Sequence, residues 1–113
     1  MKFDSLKIGN LTAVIPIIQG GMGIGVSSSG LAAAVANEGG IGIISAAQLG
    51  YNEPGFEKNP LETNLKALKK HIALAKVKAP NGIIGINAMV ATNNYEEHIK
   101  AAIDAGIDLI ISG

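Results

Sequence analysis

The sequence predicts an α/β fold built on a parallel sheet, and three observations lead there. A repeated unit runs through the 113 residues. Gly39-Gly-Ile-Gly-Ile-Ile-Ser45, Gly82-Ile-Ile-Gly-Ile-Asn87 and Gly106-Ile-Asp-Leu-Ile-Ile-Ser112 each place a helix-ending glycine before an apolar strand with a polar end. Helical stretches with recognisable caps separate these strands, which is the alternation of a parallel sheet with right-handed crossovers. The strands are near-continuous apolar runs, as expected where both faces are covered. About four parallel strands and three helices result, in one domain spanning residues 1–113.

The elements follow in order. Leu6, Ile8 and Leu11 flank Gly9-Asn10, a two-residue turn signal, so residues 2–13 are expected to form a short hairpin. The first long strand is expected over Val14–Gln19, with Pro16 tolerated near its beginning. A helix is expected from Ser29 to Glu38, capped by Ser27, Ser28 or Ser29, with Leu31, Ala34 and Val35 as its buried face and Gly39 as its left-handed end. The strand Ile41–Ser45 follows, and then a polar connection, Ala47 to Asn59, of the length used for functional or lid-like loops. Asn59, Pro60 and Glu62 are a cap, a first helical residue and a capping-box partner. Leu61, Leu65, Leu68, Ile72 and Ala75 then form one apolar stripe, with the lysines at 66, 69 and 70 largely off it. Pro80-Asn81-Gly82 ends that helix. A strand over Ile83–Asn87, a helix from about Asn94 to Ala105 with Ile99, Ala102 and Ile103 inward, and a strand over Ile107–Ser112 complete the pattern.

Two architectures accommodate this order: an open doubly wound sheet, or the first half of a TIM (β/α)8 barrel. Gln19, Ser45, Asn87 and Ser112 stand at the C-terminal ends of the four strands, the side on which α/β proteins place ligands. A doubly wound sheet gathers its site at one switch point, whereas a polar residue after every strand suits the mouth of a barrel. Strand-to-strand intervals of roughly 25 to 40 residues also fit a complete barrel of ~250 residues. The barrel is the favoured architecture.

Composition excludes several classes of function. Lys plus Arg and Asp plus Glu number nine each, so no basic stripe is available for nucleic acid or a membrane surface. The absence of cysteine excludes disulfides, zinc–thiolate sites and thiol nucleophiles, and no metal site is expected. No signal peptide is visible and no apolar run approaches ~18 residues, which reads as a cytoplasmic chain. With two Phe, two Tyr and no Trp, the core must be built from aliphatic side chains.

The stretch Gln19-Gly-Gly-Met-Gly-Ile-Gly25, between an apolar strand and three serines, is where chemistry would sit. It is not a dinucleotide fingerprint: the third glycine would fall at Val26 or Ser28, and no acidic residue ends the next strand. It is not a P-loop, because no lysine lies in it. What remains is a run of small residues whose backbone can lie against something flat, with Met22 as a soft contact for an aromatic ring. A tight turn that merely lets the next helix pack on the sheet explains the pattern equally well.

Pro16-Ile-Ile-Gln-Gly-Gly-Met-Gly23, Leu31-Ala-Ala-Ala-Val-Ala36, Glu38-Gly-Gly-Ile-Gly-Ile-Ile44, Gly85-Ile-Asn87 and Ser112-Gly113 together resemble the nitronate monooxygenase family, formerly called 2-nitropropane dioxygenase. The same pattern includes FMN-dependent enoyl-acyl-carrier-protein reductases. The resemblance covers nearly the whole chain and corresponds to the N-terminal portion of such enzymes. It implies a (β/α)8 barrel with FMN at its mouth. Gly21, Met22 and Gly23 match the loop along the isoalloxazine ring, Asn87 matches the asparagine that reaches the flavin, and Gln19 and Ser45 are further candidates for lining the pocket. It also implies a small-molecule substrate: an alkyl nitronate oxidised with O2 to a carbonyl compound and nitrite, or an enoyl thioester reduced by NAD(P)H. The family's catalytic histidine and phosphate site lie in the later half of the barrel, so no catalytic residue is expected among these. His71 and His98 fall within helices and read as surface or helix-flank residues. Glu96-Glu97 reads as a helix N-terminal pair, and the serines read as caps. A half-barrel with open edges is expected to be inactive alone and to self-associate or pair with another chain.

Overall fold

The computed structural model describes residues 2–113. The elements are β1 (Leu6–Ile8), β2 (Leu11–Ala13), α1 (Ser29–Asn37), β3 (Ile41–Ser45), α2 (Pro60–Lys78), β4 (Ile83–Ala88), α3 (Tyr95–Asp104) and β5 (Leu109–Ser112). β3, β4 and β5 form a parallel sheet in sequential order, with Ser45 level with Asn87 and Ala88 level with Ser112. The described residues are thus a mixed α/β chain with three helices and a parallel sheet of three strands.

Alternation along the strands sorts the side chains onto two faces. Ile44, Ile84, Ile86, Ala88 and Ile110 pack against all three helices in one cluster. Ile41, Ile43, Ile83, Leu109 and Ile111 form the opposite face, which the hairpin touches through Leu6 and Ala13. Helices therefore cover one face only, and the strand order does not reverse, so the described sheet has no doubly wound switch point. Gly85 lies between Ile43 and Leu109 on the hairpin side, and a methyl there would come within 2.9 Å of Ile43 and 3.0 Å of Leu109.

The hairpin forms as the turn signal predicts. Ile8 pairs with Leu11, and Gly9 carries the positive φ, +56°, at the first central position. The cap of α2 also forms as predicted. Asn59 Oδ1 accepts from the Glu62 N–H at 3.3 Å while Asn59 Nδ2 donates to Glu62 Oε2 at 2.9 Å.

Four expectations need correction. Val14–Gln19 is not a continuous strand. It runs parallel beside β3 with a single bridge, Ile18 to Ile41, because Ile17 N–H bonds the Ile15 carbonyl at 2.8 Å around Pro16 and bends the chain. The buried face of α1 is Ser29, Ala32, Ala33 and Ala36, whereas Leu31 is exposed. The cause lies in the sheet: Gly42 sits against the Ala32 carbonyl, and a methyl on Gly82 would lie 2.6 Å from the Ala36 side chain. Small residues on both sides let the helix backbone lie directly on the strands. In α3 the buried residues are Ala101 and Ala102, and Ile103 is exposed. The last strand begins at Leu109, two residues later than expected, because Asp108 replaces a ladder bond with its side chain. Its Oδ2 accepts from Ile84 N–H at 2.9 Å while its own N–H donates to the Ile84 carbonyl at 3.0 Å.

Candidate functional site

The C-terminal ends of β3 and β4 open into a cleft of about 580 Å³. That is within the range of small-molecule sites, ~300–1,000 Å³. Gly21 and Gly23 line it beside Ser45 and Asn87, which are register partners on neighbouring strands and point to the same face. Gln48, from the turn after β3, lines it as well, as does Asn64 of α2. Tyr95 and His98, at the start of α3, line it too. The described lining contains no Lys, Arg, Asp or Glu.

The glycine stretch folds back onto the strand ends. A methyl on Gly21 would lie 2.6 Å from the Asn87 Cβ and 3.1 Å from Ile43, and one on Gly23 would lie 2.9 Å from Ala47 and 3.2 Å from Ser45 Oγ. Asn87 Nδ2 donates to the Gly21 carbonyl at 3.4 Å. Gly25, with φ +78°, packs against the ring of Tyr51. Part of the glycine requirement is therefore met by close packing within the protein. The same approach leaves bare backbone beside Ser45 and Asn87 at the cleft.

Ser27 ties this loop together, a role its sequence context did not reveal. The residue is buried, its Oγ accepts from Met22 N–H at 2.9 Å and donates to the Gly20 carbonyl at 3.3 Å, and its carbonyl accepts from Ser45 N–H at 2.8 Å. Gln19 belongs to the same network. Its Nε2 donates to the Ile43 carbonyl and its Oε1 accepts from Ile43 N–H, both at 3.0 Å, so its amide extends the β3 ladder and lies outside the cleft lining. Met22 is exposed and is likewise not part of the lining. Of the sequence candidates, the structure brings Gly21, Gly23, Ser45 and Asn87 together at the cleft.

The two histidines differ. His71 is half-buried, and its Nδ1 accepts from the N–H of Ser29 at 3.4 Å with Ser29 Oγ at 3.0 Å. It serves the N-terminus of α1 in place of Ser28, whose side chain makes no cap bond. Burial first, then the charge of Lys70, holds its pKa below the ordinary value, against an opposing pull from Glu53. His98 lines the cleft. Its Nδ1 must donate to the Asn94 carbonyl at 2.8 Å, because a carbonyl only accepts, so Nε2 carries the free lone pair of the neutral ring. The signal was available in the sequence: a histidine in the first turn of a helix that begins just beyond a strand's C-terminal end stands at the ligand side.

The site is thus a cleft at the C-terminal ends of parallel strands in an α/β chain, with bare backbone on one wall and no Lys, Arg, Asp or Glu in its lining. The sequence model of the nitronate monooxygenase family matches residues 4–108. The chain belongs to that family, whose members are oxidoreductases that typically depend on a flavin. No curated protein matches the chain. Among the described residues, no helix is long and apolar enough to cross a membrane.

Proposed function

We propose that the cleft is the flavin end of an FMN-dependent nitronate monooxygenase, an enzyme that oxidises alkyl nitronates with O2 to a carbonyl compound and nitrite. The observation that carries this reading is the approach of Gly21 and Gly23 to Asn87 and Ser45 at the strand ends, within a chain of this family. The lining fits a flat, uncharged ring: bare glycine backbone, small side chains and amide or hydroxyl groups, with no carboxylate to repel it. It offers no cation for a phosphate, so the residues assigned to FMN here hold the ring alone. FMN supplies the redox chemistry when bound. Gly21 and Gly23 give it a surface, Asn87 an amide, and Ser45 a hydroxyl.

The sheet supports a (β/α)8 barrel as the complete architecture, with β3, β4 and β5 as consecutive staves and residues 15–19 as the stave before them. Helices on one face and a sequential strand order are what a barrel wall requires. In that reading the face carrying Ile43 and Leu109 points inward, and the exposed Val14, Ile17 and Ile18 mark an edge that needs covering. The 113-residue chain made alone then self-associates and is inactive, which sedimentation over a concentration series tests; a monomer throughout contradicts it. A cytoplasmic location accords with the lack of a membrane-crossing helix among the described residues.

The activity test is a pair of assays on the flavin-loaded enzyme. Oxygen consumption with nitrite release from an alkyl nitronate is the expected result. NAD(P)H oxidation with an enoyl thioester, and no nitrite, would assign the reductase chemistry found in the same family pattern.

A further inference from the structure

We propose that Gln48 is a specificity-determining residue of this cleft, presenting one oriented amide donor to an acceptor oxygen of a planar, two-oxygen monoanion. Its identification with a nitronate oxygen rests on the function proposed above. The donor itself rests on geometry.

The hydrogen-bond chain fixes which end of Gln48 is free. The N–H of Gly50 can only donate, so the Asn64 atom 2.9 Å from it is the oxygen Oδ1. The other end of that amide is therefore Nδ2, which can only donate, and the Gln48 atom 3.0 Å from it is the oxygen Oε1. Gln48 is exposed, and among the described residues its Nε2 is left as the end without a protein acceptor. Asn64 is buried at 6% exposure, so this orientation is set from inside the protein.

The backbone points the same way. Gln48 and Asn94 are the two non-glycine residues with positive φ among the described residues, at 48° and 63°, and both line this cleft. Backbone in that region concentrates at functional sites. Asparagine enters the left-handed region readily, whereas glutamine has no such preference, and glycine would serve the turn better. A glutamine there keeps a side chain that a turn alone does not need. The lining it belongs to holds no Lys or Arg, so a dianion finds no fixed countercharge, and no Asp or Glu, so a monoanion meets no repulsion. A neutral N–H donor in that setting selects an acceptor oxygen. His98, another residue of the lining, offers an acceptor at Nε2 when its ring is neutral.

The test titrates propionate, a planar two-oxygen monoanion that a flavin does not oxidise, into 15N-labelled protein with and without FMN. The side-chain amide peaks of Gln48 and Asn87 are followed, the former assigned by its loss in Gln48→Glu. The expected result is a saturable shift of the Gln48 peak. Affinity read from the Asn87 peak falls at least tenfold in Gln48→Glu, which turns the free donor into an oxygen and adds a charge, and several-fold in Gln48→Met, which removes the donor without adding charge. It falls several-fold in Gln48→Gly, with thermal stability equal to or above wild type. An unmoved Gln48 peak, or unchanged affinity in Gln48→Glu, overturns the proposal. A Gln48→Gly variant that binds propionate normally but melts earlier also overturns it, since that is the signature of a purely structural tie. A shifting Gln48 peak in protein that binds no FMN sinks the flavin reading and leaves this donor assigned.

Discussion

The side-chain amide of Gln19 pairs with the main chain of Ile43 through two hydrogen bonds of 3.0 Å, taking the place of a strand peptide. Beyond the bend at Pro16 the main chain still bonds β3 at Ile41, through the Ile17 carbonyl and the Gln19 N–H, and the Gln19 side chain extends that ladder to Ile43. This seals the edge of β3 just below the glycine loop. It also starts the loop, because Gln19 Nε2 reaches Ser27 Oγ at 3.2 Å.

Gln19→Ala should therefore destabilise the protein. Ile43 is fully buried, so its N–H and carbonyl would lose their partners away from water. Each such group costs about 1–3 kcal/mol. A loss of roughly 2–6 kcal/mol is expected in urea unfolding, built from two such groups. A change below about 0.5 kcal/mol, the range of ordinary surface substitutions, would contradict the role.

Two glycine substitutions separate packing from propensity. Gly42→Ala drives a methyl into the Ala32 carbonyl of α1, so the helix must lift from the sheet. Overpacking of this kind costs about 1–3 kcal/mol, and a backbone neighbour that cannot rotate away puts the cost at the upper end or beyond. Gly30→Ala, inside α1 with open space around it, should instead stabilise by about 0.5–1 kcal/mol. Thermal melts of the two variants should move in opposite directions.

His71 makes stability depend on pH. Its folded pKa is lowered below 6.5, chiefly by burial, so the folded protein prefers the neutral ring. As pH falls below 6.5, the unfolded chain binds a proton that the folded one resists, and stability declines until the lowered folded pKa is passed. Above 6.5 the contribution is fully present. Protonation would also remove the acceptor for Ser29 N–H and set a cation at the positive end of α1. Urea unfolding at pH 7.5 and pH 5 should differ in wild type, and His71→Gln should flatten the difference. An identical slope in both proteins would contradict the assignment.

What was legible in the sequence was local. The hairpin at Gly9-Asn10, the Asn59–Glu62 cap and the apolar runs of β3 and β4 each follow from neighbours within a few residues. The alanine face of α1 was not legible, because Gly42 and Gly82 decide it from distant strands, while periodicity alone pointed to the larger Leu31 and Val35. Asn64 occupies a position on the apolar stripe of α2, and a polar residue there is the sequence sign of a buried tie. Gln19 and Asn87 both stood out as polar strand ends. Only the three-dimensional arrangement separates the one spent on Ile43 from the one left at the cleft.

The central claim, a flavin ring held at the strand ends, is tested most directly by FMN affinity in Asn87→Ala. Alanine keeps the Cβ on which Gly21 rests and removes only the amide, whose bond to the Gly21 carbonyl is long at 3.4 Å, so the loop should stay in place. Flavin fluorescence quenching should show a dissociation constant raised about two- to tenfold, the loss of roughly one hydrogen bond's 0.5–1.5 kcal/mol, with the melting temperature little changed. Equal affinity in variant and wild type, or a wild-type protein that binds no FMN, would contradict the account.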